Sequence, residues 1–361
     1  MLRSLFIGIL LLAVLILGVG FVLPDHAHVE RSTVIQAPPS QVFGILDGFR
    51  QFDKWSPWKD KDPNAKTTQS GALFGVGDKF EWSGNKNVGS GSQEIVASQP
   101  YTHVQTKLMF GGFDQPSMAD FVLAPGEGGS TKLTWSLDSK LGANPIHRYF
   151  GLAMDKMVGP DYESGLAKLK TLAESGSKTD FGALQAELVQ TKAQGYAYLS
   201  GSTSTDPDAV AKAMTDAYAK VKAFIDATGA KAMGPPIAIT RRWDDEAKVY
   251  EFDAGIPVDK TDVSAPPPPP PPPAPPAKGK HAAAPPPPPA EVKFAQTYAG
   301  DALKISYKGG SKTAAKTYEM IGAYKTAFAL QDNGSSWEEY VSDPATTKEE
   351  DQVTNVYVPV K

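Results

Sequence analysis

A short stretch near the C-terminal end, SSWEEYVSDP at residues 335–344, combines two carboxylates with aromatic side chains. In an extended strand neighbouring side chains point to opposite faces, so Glu338 and Tyr340 share one face while Trp337 and Glu339 share the other. A carboxylate among aromatic rings is poorly solvated, and an organic cation can neutralise it while stacking on the rings. One of the two glutamates must face inward, or the strand is unusually exposed. Two ordinary surface carboxylates are the alternative.

The candidate ligand-binding residues are Glu338 and three aromatic side chains, Tyr340, Trp243 and Tyr298. A glutamate in such surroundings could also act as a general base on water, so hydrolysis of a bound ligand stays open beside simple binding, and no catalytic residue is assigned. KGGSKT at 308–313 departs from the phosphate-loop order, and neither a G-x-S-x-G nor an H-E-x-x-H motif occurs. With no cysteine and only five scattered histidines, neither a metal site nor a cofactor is expected.

The N-terminal stretch MLRSLFIGILLLAVLILGVGFVLPD contains an uncharged apolar run over residues 4–23. Such a run crosses about 30 Å of hydrocarbon as a helix, whereas a cleavable signal peptide has a shorter apolar core and a small-x-small cleavage site. Pro24 follows the run instead, so we predict an uncleaved membrane anchor over residues 1–24. Arg3 favours a cytoplasmic N-terminus, with the rest of the chain outside the cytoplasm of a bacterial inner membrane, although Arg31 weakens this charge bias.

Composition sets limits on the number of domains and on the partners. The 361 residues, 41% of them hydrophobic, are enough to bury more than one core, so two domains are expected. A net charge of −4 argues against a nucleic-acid surface, which normally carries clustered lysine and arginine. The sequence therefore predicts small-molecule and membrane partners and no nucleic acid.

The segment 28–175 predicts an α+β domain. An alternating strand leads into a helix, several strand-like runs follow between glycine-rich turns, and a long helix closes the segment. In that last helix Ile146, Phe150, Ala153 and Met157 recur at helical spacing. One strand, a run of antiparallel strands and a long final helix favour a curved sheet that grips the helix.

Two phrases in this segment, VIQAPPSQVFGILDGFRQFDKWSPW and MDKMVGPDYESGLAKLK, resemble the START-related polyketide cyclase and lipid-transfer superfamily, known as SRPBCC. The resemblance implies a helix-grip fold with an apolar cavity between the sheet and the C-terminal helix, and binding of a hydrophobic ligand rather than catalysis. Five aromatic residues are candidates for the cavity lining or for plain core: Trp82, Phe110, Phe113, Phe121 and Trp135.

The second half of the chain contains an internal repeat. AYLSGSTSTDPDAVAKAMTDAYAKVKAFIDATG and LKISYKGGSKTAAKTYEMIGAYKTAFALQDNG each give a strand and then a helix that ends at a glycine, and two strand-like runs follow each copy. In the second helix Ala314, Tyr318, Ile321, Tyr324 and Phe328 form the apolar stripe. Two strand-helix-strand-strand units related by a pseudo-two-fold axis would leave a cleft where they meet.

This repeat, with its terminal WEEYVSDPATTKEEDQVTNVYVPV, resembles the GyrI-like small-molecule-binding domain, also known as the effector-binding domain of AraC-type regulators, over residues 181–361. The resemblance implies that the glutamate of the E-x-Y strand, here Glu338, lies in the cleft and pairs with cationic or polar aromatic ligands. The chain departs from the regulators because it has no helix-turn-helix pattern. The resemblance therefore gives no basis for inferring transcriptional control.

A proline-rich insertion, residues 265–290, interrupts the repeat domain with PPPPPPPPAPP and PPPPP arms joined by AKGKHAAA. Such arms favour polyproline II, and they act either as a tolerated spacer or as a docking segment. Three functions follow from the whole pattern. The first is a membrane-anchored binding protein that acts as a sensor, carrier or scavenger. The second is a hydrolase with a cleft glutamate as general base, and the third is a cell-envelope structural protein that acts through the proline arms.

Overall fold

The computed structural model describes residues 2–113, 115–261, 291–343 and 346–361, so the proline-rich insertion predicted at 265–290 lies outside the described residues. The fold is α+β with an apolar N-terminal helix and two antiparallel sheets, which confirms the predicted fold class. The residues form two compact units. The first contains Met1–Ala183 with Glu319–Leu330, and the second contains Leu184–Tyr318 with Gln331–Lys361.

The first unit is a seven-stranded sheet with a long closing helix. Its elements in chain order are α1 (Leu2–Val22), β1 (His26–Ile35), α2 (Pro39–Leu46), α3 (Phe52–Trp55), α4 (Pro57–Lys61), β2 (Lys66–Gly71), β3 (Asp78–Ser83), β4 (Ser90–Gln99), β5 (His103–Phe110), β6 (Ser117–Pro125), β7 (Thr131–Lys140) and α5 (Pro145–Ser175). The strands are ordered β1-β7-β6-β5-β4-β3-β2, and each pairs antiparallel with its neighbours.

Helix α5 begins with a capping side chain followed by a proline. The side chain of Asn144 accepts a hydrogen bond from the backbone N–H of Ile146 at 3.0 Å, and Pro145 occupies the first helical position, where its missing N–H costs nothing. The C-terminal half packs on the sheet: Tyr162 stacks on Trp135 with ring centroids 3.7 Å apart. This packing builds the grip between sheet and helix that the segment predicts.

The second unit is an eight-stranded sheet that carries both repeats. Its elements are β8 (Ala186–Thr191), β9 (Gly195–Ser204), α6 (Pro207–Thr228), β10 (Ile237–Asp244), β11 (Val249–Pro257), β12 (Lys293–Gln296), β13 (Gly300–Lys308), α7 (Ser311–Ala327), β14 (Trp337–Tyr340) and β15 (Val353–Pro359). The strand order is β12-β9-β11-β10-β14-β15-β13-β8. The predicted copies are β9-α6-β10-β11 and β13-α7-β14-β15.

Two short strands outside the predicted repeats link the copies. β8 precedes the first copy but pairs with β13 of the second, and β12 precedes the second copy but pairs with β9 of the first. The links 192–194 and 297–299 meet where the backbone N–H of Thr297 donates to Gln194 O at 2.9 Å. The sheet therefore curls until its two ends approach each other.

Helix α7 is shared between the two units. Its first turns, up to Tyr318, belong to the second unit, whereas Glu319–Leu330 clusters with the first. There Phe328 packs on Phe74 with ring centroids 4.8 Å apart, and Gln51 Nε2 donates to Ala327 O at 2.7 Å. Of the apolar stripe predicted for this helix, Ile321, Tyr324 and Phe328 therefore belong to the first unit, whereas Ala314 and Tyr318 belong to the second.

Candidate ligand-binding sites

Glu338 lies on the helix-facing side of the second sheet, in the four-residue strand β14. In the antiparallel register it is opposite Ala238 of β10 and Val356 of β15, which are both almost fully buried. β10 and β14 are the equivalent strands of the two copies, and Ala238 and Glu338 are their second residues. The pseudo-two-fold axis therefore passes near this pair, and only one copy supplies an acid.

Two tyrosine hydroxyls hold the Glu338 carboxylate. Tyr318 of α7 donates to Oε1 and Tyr340 of β14 donates to Oε2, each at 2.7 Å. Both donors are neutral, and among the described residues Glu338 takes part in no salt bridge. The carboxylate is fixed in position without a cationic partner.

Three more tyrosines surround this carboxylate: Tyr218 of α6, Tyr250 of β11 and Tyr307 of β13. Burial raises the pKa of each phenol, and the nearby charge of Glu338 raises it further, to about 12 for Tyr250. The same two causes raise the pKa of the Tyr318 and Tyr340 phenols. All five phenols therefore remain neutral hydrogen-bond donors at ordinary pH.

The structure brings together three of the four predicted site residues. Trp243 is half exposed and packs on Tyr250 with ring centroids 5.2 Å apart, which places it at the rim of the tyrosine cluster. Tyr298 packs with Trp337 on the opposite face of the sheet and accepts a hydrogen bond from Asn333. Tyr298 therefore does not lie beside Glu338.

Glu339 occupies the face opposite to Glu338, as strand alternation predicts. Its Oε2 accepts hydrogen bonds from Asn355 Nδ2 at 2.8 Å and from the Tyr357 hydroxyl at 3.4 Å. Tyr357 in turn stacks on Trp337, with ring centroids 4.8 Å apart and planes nearly parallel. Glu339 is therefore held within a polar and aromatic group of its own, and it makes a matched control for Glu338.

Sequence reasoning missed Tyr318 as a site residue because it assigned this tyrosine to the apolar stripe of α7. In the structure the residue as a whole is 37% exposed, whereas its hydroxyl reaches inward to Glu338. A usable signal was present, since a tyrosine in an otherwise apolar stripe needs a hydrogen-bond partner for its hydroxyl. The equivalent Tyr218 of α6 shows the same behaviour and donates to Ile237 O at 2.8 Å.

The first unit contains an apolar cavity of about 140 Å³ between the sheet and α5. Of the aromatic residues predicted for its lining, Trp82 and Phe110 contribute to it, whereas Phe121 and Trp135 line a second cavity of about 20 Å³. Phe113 lines neither of these two. The larger cavity also has polar side chains at its wall, including Asp53, Lys59 and Asp62.

Helix α1 is long and apolar enough to cross a membrane over Leu5–Val22, and its side chains are almost all exposed. A signal sequence near the N-terminus has the same properties. Among the described residues no group of histidine, aspartate and glutamate side chains is suited to hold a metal ion.

Comparisons with known proteins assign both halves of the chain. Residues 26–174 match the family described as polyketide cyclase / dehydrase and lipid transport. Residues 185–361 match the family described as GyrI-like small molecule binding domain. No curated protein matches the chain.

Several solved structures are distantly similar. The EcmrR C-terminal domain is 12% identical, with 49% of this chain and 98% of that chain covered and a TM-score of 0.37. A hydrolase from Listeria innocua is 14% identical, with coverages of 49% and 91% and a TM-score of 0.31. A complex of EcmrR with DNA is 13% identical, with coverages of 61% and 72% and a TM-score of 0.39. At these scores the likeness carries no conclusion about function, and the absence of a nucleic-acid partner stays a prediction.

The family matches follow the order in which the two resemblances occur along the sequence, and they confirm both. Each family description also fits what the fold contains, since the first names lipid transport and the first unit contains an apolar cavity. The second names small-molecule binding, and the second unit contains a carboxylate in a tyrosine cluster. The chain carries an SRPBCC-type polyketide cyclase domain followed by a GyrI-like small-molecule-binding domain.

Proposed function

We propose that this protein is a membrane-anchored binding protein that takes a cationic aromatic ligand at Glu338 and a hydrophobic ligand in the cavity of the first domain. It would act as a sensor, carrier or scavenger. The observation that carries the proposal is the Glu338 carboxylate, which is fixed by two neutral tyrosine hydroxyls and forms no salt bridge among the described residues. A carboxylate that is fixed in position and has acceptor sites left on both oxygens is suited to an incoming cation.

Electrostatics favour a cation over an anion or a neutral ligand. The half-buried carboxylate lies among neutral phenols and forms no salt bridge among the described residues. A cation that enters restores a charge partner, and the rings of Tyr340 and Trp243 offer faces on which a flat ligand can stack. The proposed ligand contacts are therefore Glu338, Tyr340 and Trp243, together with Tyr318, whose hydroxyl binds Glu338.

The size of the first cavity limits its ligand. A cavity of about 140 Å³ is close to the engineered cavity of about 150 Å³ that binds benzene. It therefore holds one aromatic ring or a short aliphatic segment, while a longer hydrophobic ligand would extend beyond it. Aromatic and aliphatic side chains together form most of the wall, so an apolar ring fits better than a strongly polar head.

The anchor and the domain limits belong to the same proposal. We assign residues 1–24 to an uncleaved anchor, 28–175 to the first domain and 181–361 to the second, with both domains outside the cytoplasm of a bacterial inner membrane. Support for an uncleaved segment comes from contacts of α1 with the folded domain: Tyr149 donates to Ile16 O at 2.6 Å and Arg148 to Phe21 O at 2.9 Å. A segment that is removed after export would have no use for such contacts.

The test compares Glu338→Gln with Glu339→Gln. Each substitution removes a charge and keeps the shape, but only Glu338 faces the tyrosine cluster. Loss of a charge-assisted contact worth about 1.5–3 kcal/mol should weaken binding of the cationic dye ethidium roughly tenfold to a hundredfold in Glu338→Gln. Glu339→Gln should bind like the wild type. Fluorescence titration of the full chain in detergent measures both affinities.

This titration, together with a turnover assay and a titration with an apolar probe, separates the alternatives. Equal effects of the two substitutions, or a larger effect of Glu339→Gln, would contradict the assignment of the site to Glu338. Consumption of an ester-bearing cationic ligand that needs Glu338 would favour the hydrolase with a glutamate general base. If wild type binds neither ethidium nor an apolar probe, the binding function fails, and a structural role through the proline arms becomes the better hypothesis.

A further inference from the structure

The N-terminal half of α5 exposes an apolar stripe. Ile146, Phe150 and Met157 are 53%, 51% and 59% exposed, although their helical spacing resembles that of a core stripe. In contrast, Leu166 and Leu169 in the C-terminal half of the same helix are buried. We call Ile146, Phe150 and Met157 the outer stripe.

Contacts with α1 place the outer stripe next to the apolar N-terminal helix. The Tyr149 hydroxyl donates to Ile16 O at 2.6 Å, and Arg148 Nη1 donates to Phe21 O at 2.9 Å. Gly20 permits this approach, because a Cβ there would lie 2.7 Å from Pro145. Ile16 precedes the end of α1 at Val22 by six residues, or about 9 Å along the helix axis. The first turns of α5 therefore lie beside a part of α1 that a membrane would surround.

The turn after β5, in which the backbone N–H of Phe113 donates to Phe110 O at 3.1 Å, connects this region to the cavity of the first domain. Phe113, in the loop after β5, packs on His147 of α5 with ring centroids 5.3 Å apart. Phe110 at the end of β5 packs on Trp82 at 6.0 Å, and both line the cavity. Val158 of α5 lines the cavity too, one residue after Met157. Helix α5 therefore contributes residues both to the cavity wall and to the outer stripe.

We infer that the outer stripe lies in the headgroup region of the bilayer that holds α1. The inference rests on the proposed anchor. A lipid surface is the occupant that the contacts favour, because α1 fixes the stripe within about two helical turns of the end of the membrane span. An amphipathic helix in such a position buries its apolar face about 5–10 Å into the interface.

The chain has no cysteine, so single-cysteine variants can be labelled cleanly. We would place bimane at Leu12→Cys in α1, at Phe150→Cys in the outer stripe and at Thr171→Cys, an exposed position about 30 Å farther along α5. Each full-length variant is reconstituted in phosphatidylcholine and phosphatidylglycerol vesicles that contain nitroxide lipids, with the nitroxide near the headgroup or near the chain end. The readout is the fluorescence lost to each nitroxide.

The expected result differs for the three positions. Leu12→Cys should be quenched most by the deep nitroxide, Phe150→Cys should lose about half of its fluorescence to the shallow one, and Thr171→Cys should be unaffected by either. The Leu12→Cys label tests the anchor by itself, whereas the comparison of Phe150→Cys with Thr171→Cys tests the further inference.

Other outcomes overturn the inference in distinguishable ways. If Leu12→Cys is not quenched, α1 is not in the bilayer, and the proposed anchor fails together with the inference. If Leu12→Cys is quenched but Phe150→Cys behaves like Thr171→Cys, the anchor stands and the inference is wrong. If Phe150→Cys is shielded from aqueous iodide yet not quenched by lipid, a protein surface such as a second copy of this chain covers the stripe, and the inference is again wrong.

Discussion

Asp47 predicts a pH dependence of the stability of the first unit. It follows the last turn of α2, its residue is only 4% exposed, and its Oδ1 has no hydrogen-bond partner among the described residues. Burial raises the pKa of this carboxyl to about 7, the charge of Asp78 adds to the rise, and a hydrogen bond with Ser98 opposes it. The pKa of Asp78 is raised as well, mainly by burial.

The sign and the size of the pH effect follow from the difference between the pKa of Asp47 in the folded protein and its pKa in the unfolded chain. In the folded protein Asp47 binds its proton more tightly than in the unfolded chain, where its pKa is close to 3.8. The neutral carboxyl therefore stabilises the fold below about pH 4, and this stability is lost as the pH rises through 7. A rise of about three units corresponds to about 3–4 kcal/mol of unfolding free energy. Asp78 contributes in the same direction.

The measurement compares Asp47→Asn with the wild type and with Glu81→Gln, an exposed carboxylate of β3 in the same unit. Thermal unfolding of the full chain in detergent can be followed by tryptophan fluorescence at pH 5 and at pH 8. Asp47→Asn should have a Tm about 10 °C above that of the wild type at pH 8, and the gap should shrink strongly at pH 5. Glu81→Gln should follow the wild type at both pH values.

A gap between Asp47→Asn and the wild type that has the same size at both pH values would refute the reasoning. It would mean that the substitution changes packing or hydrogen bonding and that the ionisation of Asp47 does not limit stability. A lower Tm of Asp47→Asn at pH 8 would contradict the predicted sign.

Two further substitutions test the cavity and the packing of the repeats. Leu108 lines both cavities of the first unit, so Leu108→Phe should fill cavity space and weaken binding of N-phenyl-1-naphthylamine roughly tenfold, through the loss of about 1–2 kcal/mol of apolar contact between probe and protein. Val122→Phe, at an exposed position of β6, should leave the affinity unchanged, and equal affinities of the two variants in fluorescence titrations would argue against the cavity as the binding site. A Cβ at Gly201 would lie 2.5 Å from the ring of Phe252, so Gly201→Val should destabilise the second unit by about 1–3 kcal/mol in thermal unfolding. Ser202 is the exposed neighbour of Gly201, and a loss of stability in Gly201→Val as small as that in Ser202→Val would contradict this packing.

Local sequence was enough to predict the fold class, both family resemblances and the facing of the acidic strand. Strand alternation put Glu338 and Tyr340 on one face and Glu339 on the other, and the hydrogen bonds of the three side chains follow that division. These features depend on residues close together in the chain, where backbone geometry alone decides the side on which a side chain lies. The periodicity of the helices was readable for the same reason.

The composition of the site needed the tertiary structure. Tyr218, Tyr250 and Tyr307 come from α6, β11 and β13, and only the pairing of strands from the two copies brings these phenols to Glu338. Tyr298 looked equally suitable in the sequence, yet it follows β12, and the curl of the sheet places it with Trp337. Residue type predicts that an aromatic ring will be buried, but not which carboxylate it will meet.

The same limit applies to the outer stripe. The sequence by itself determined that residues 146–173 form a helix with apolar residues at helical spacing, because periodicity is a local property. It could not tell that Ile146, Phe150 and Met157 stay exposed while Leu166 and Leu169 are buried. A sheet covers only as much of a helix as its strands reach, and that length is set by the strand pairing of the whole unit. Tertiary structure therefore decided which half of α5 belongs to the core and which half remains free for another surface.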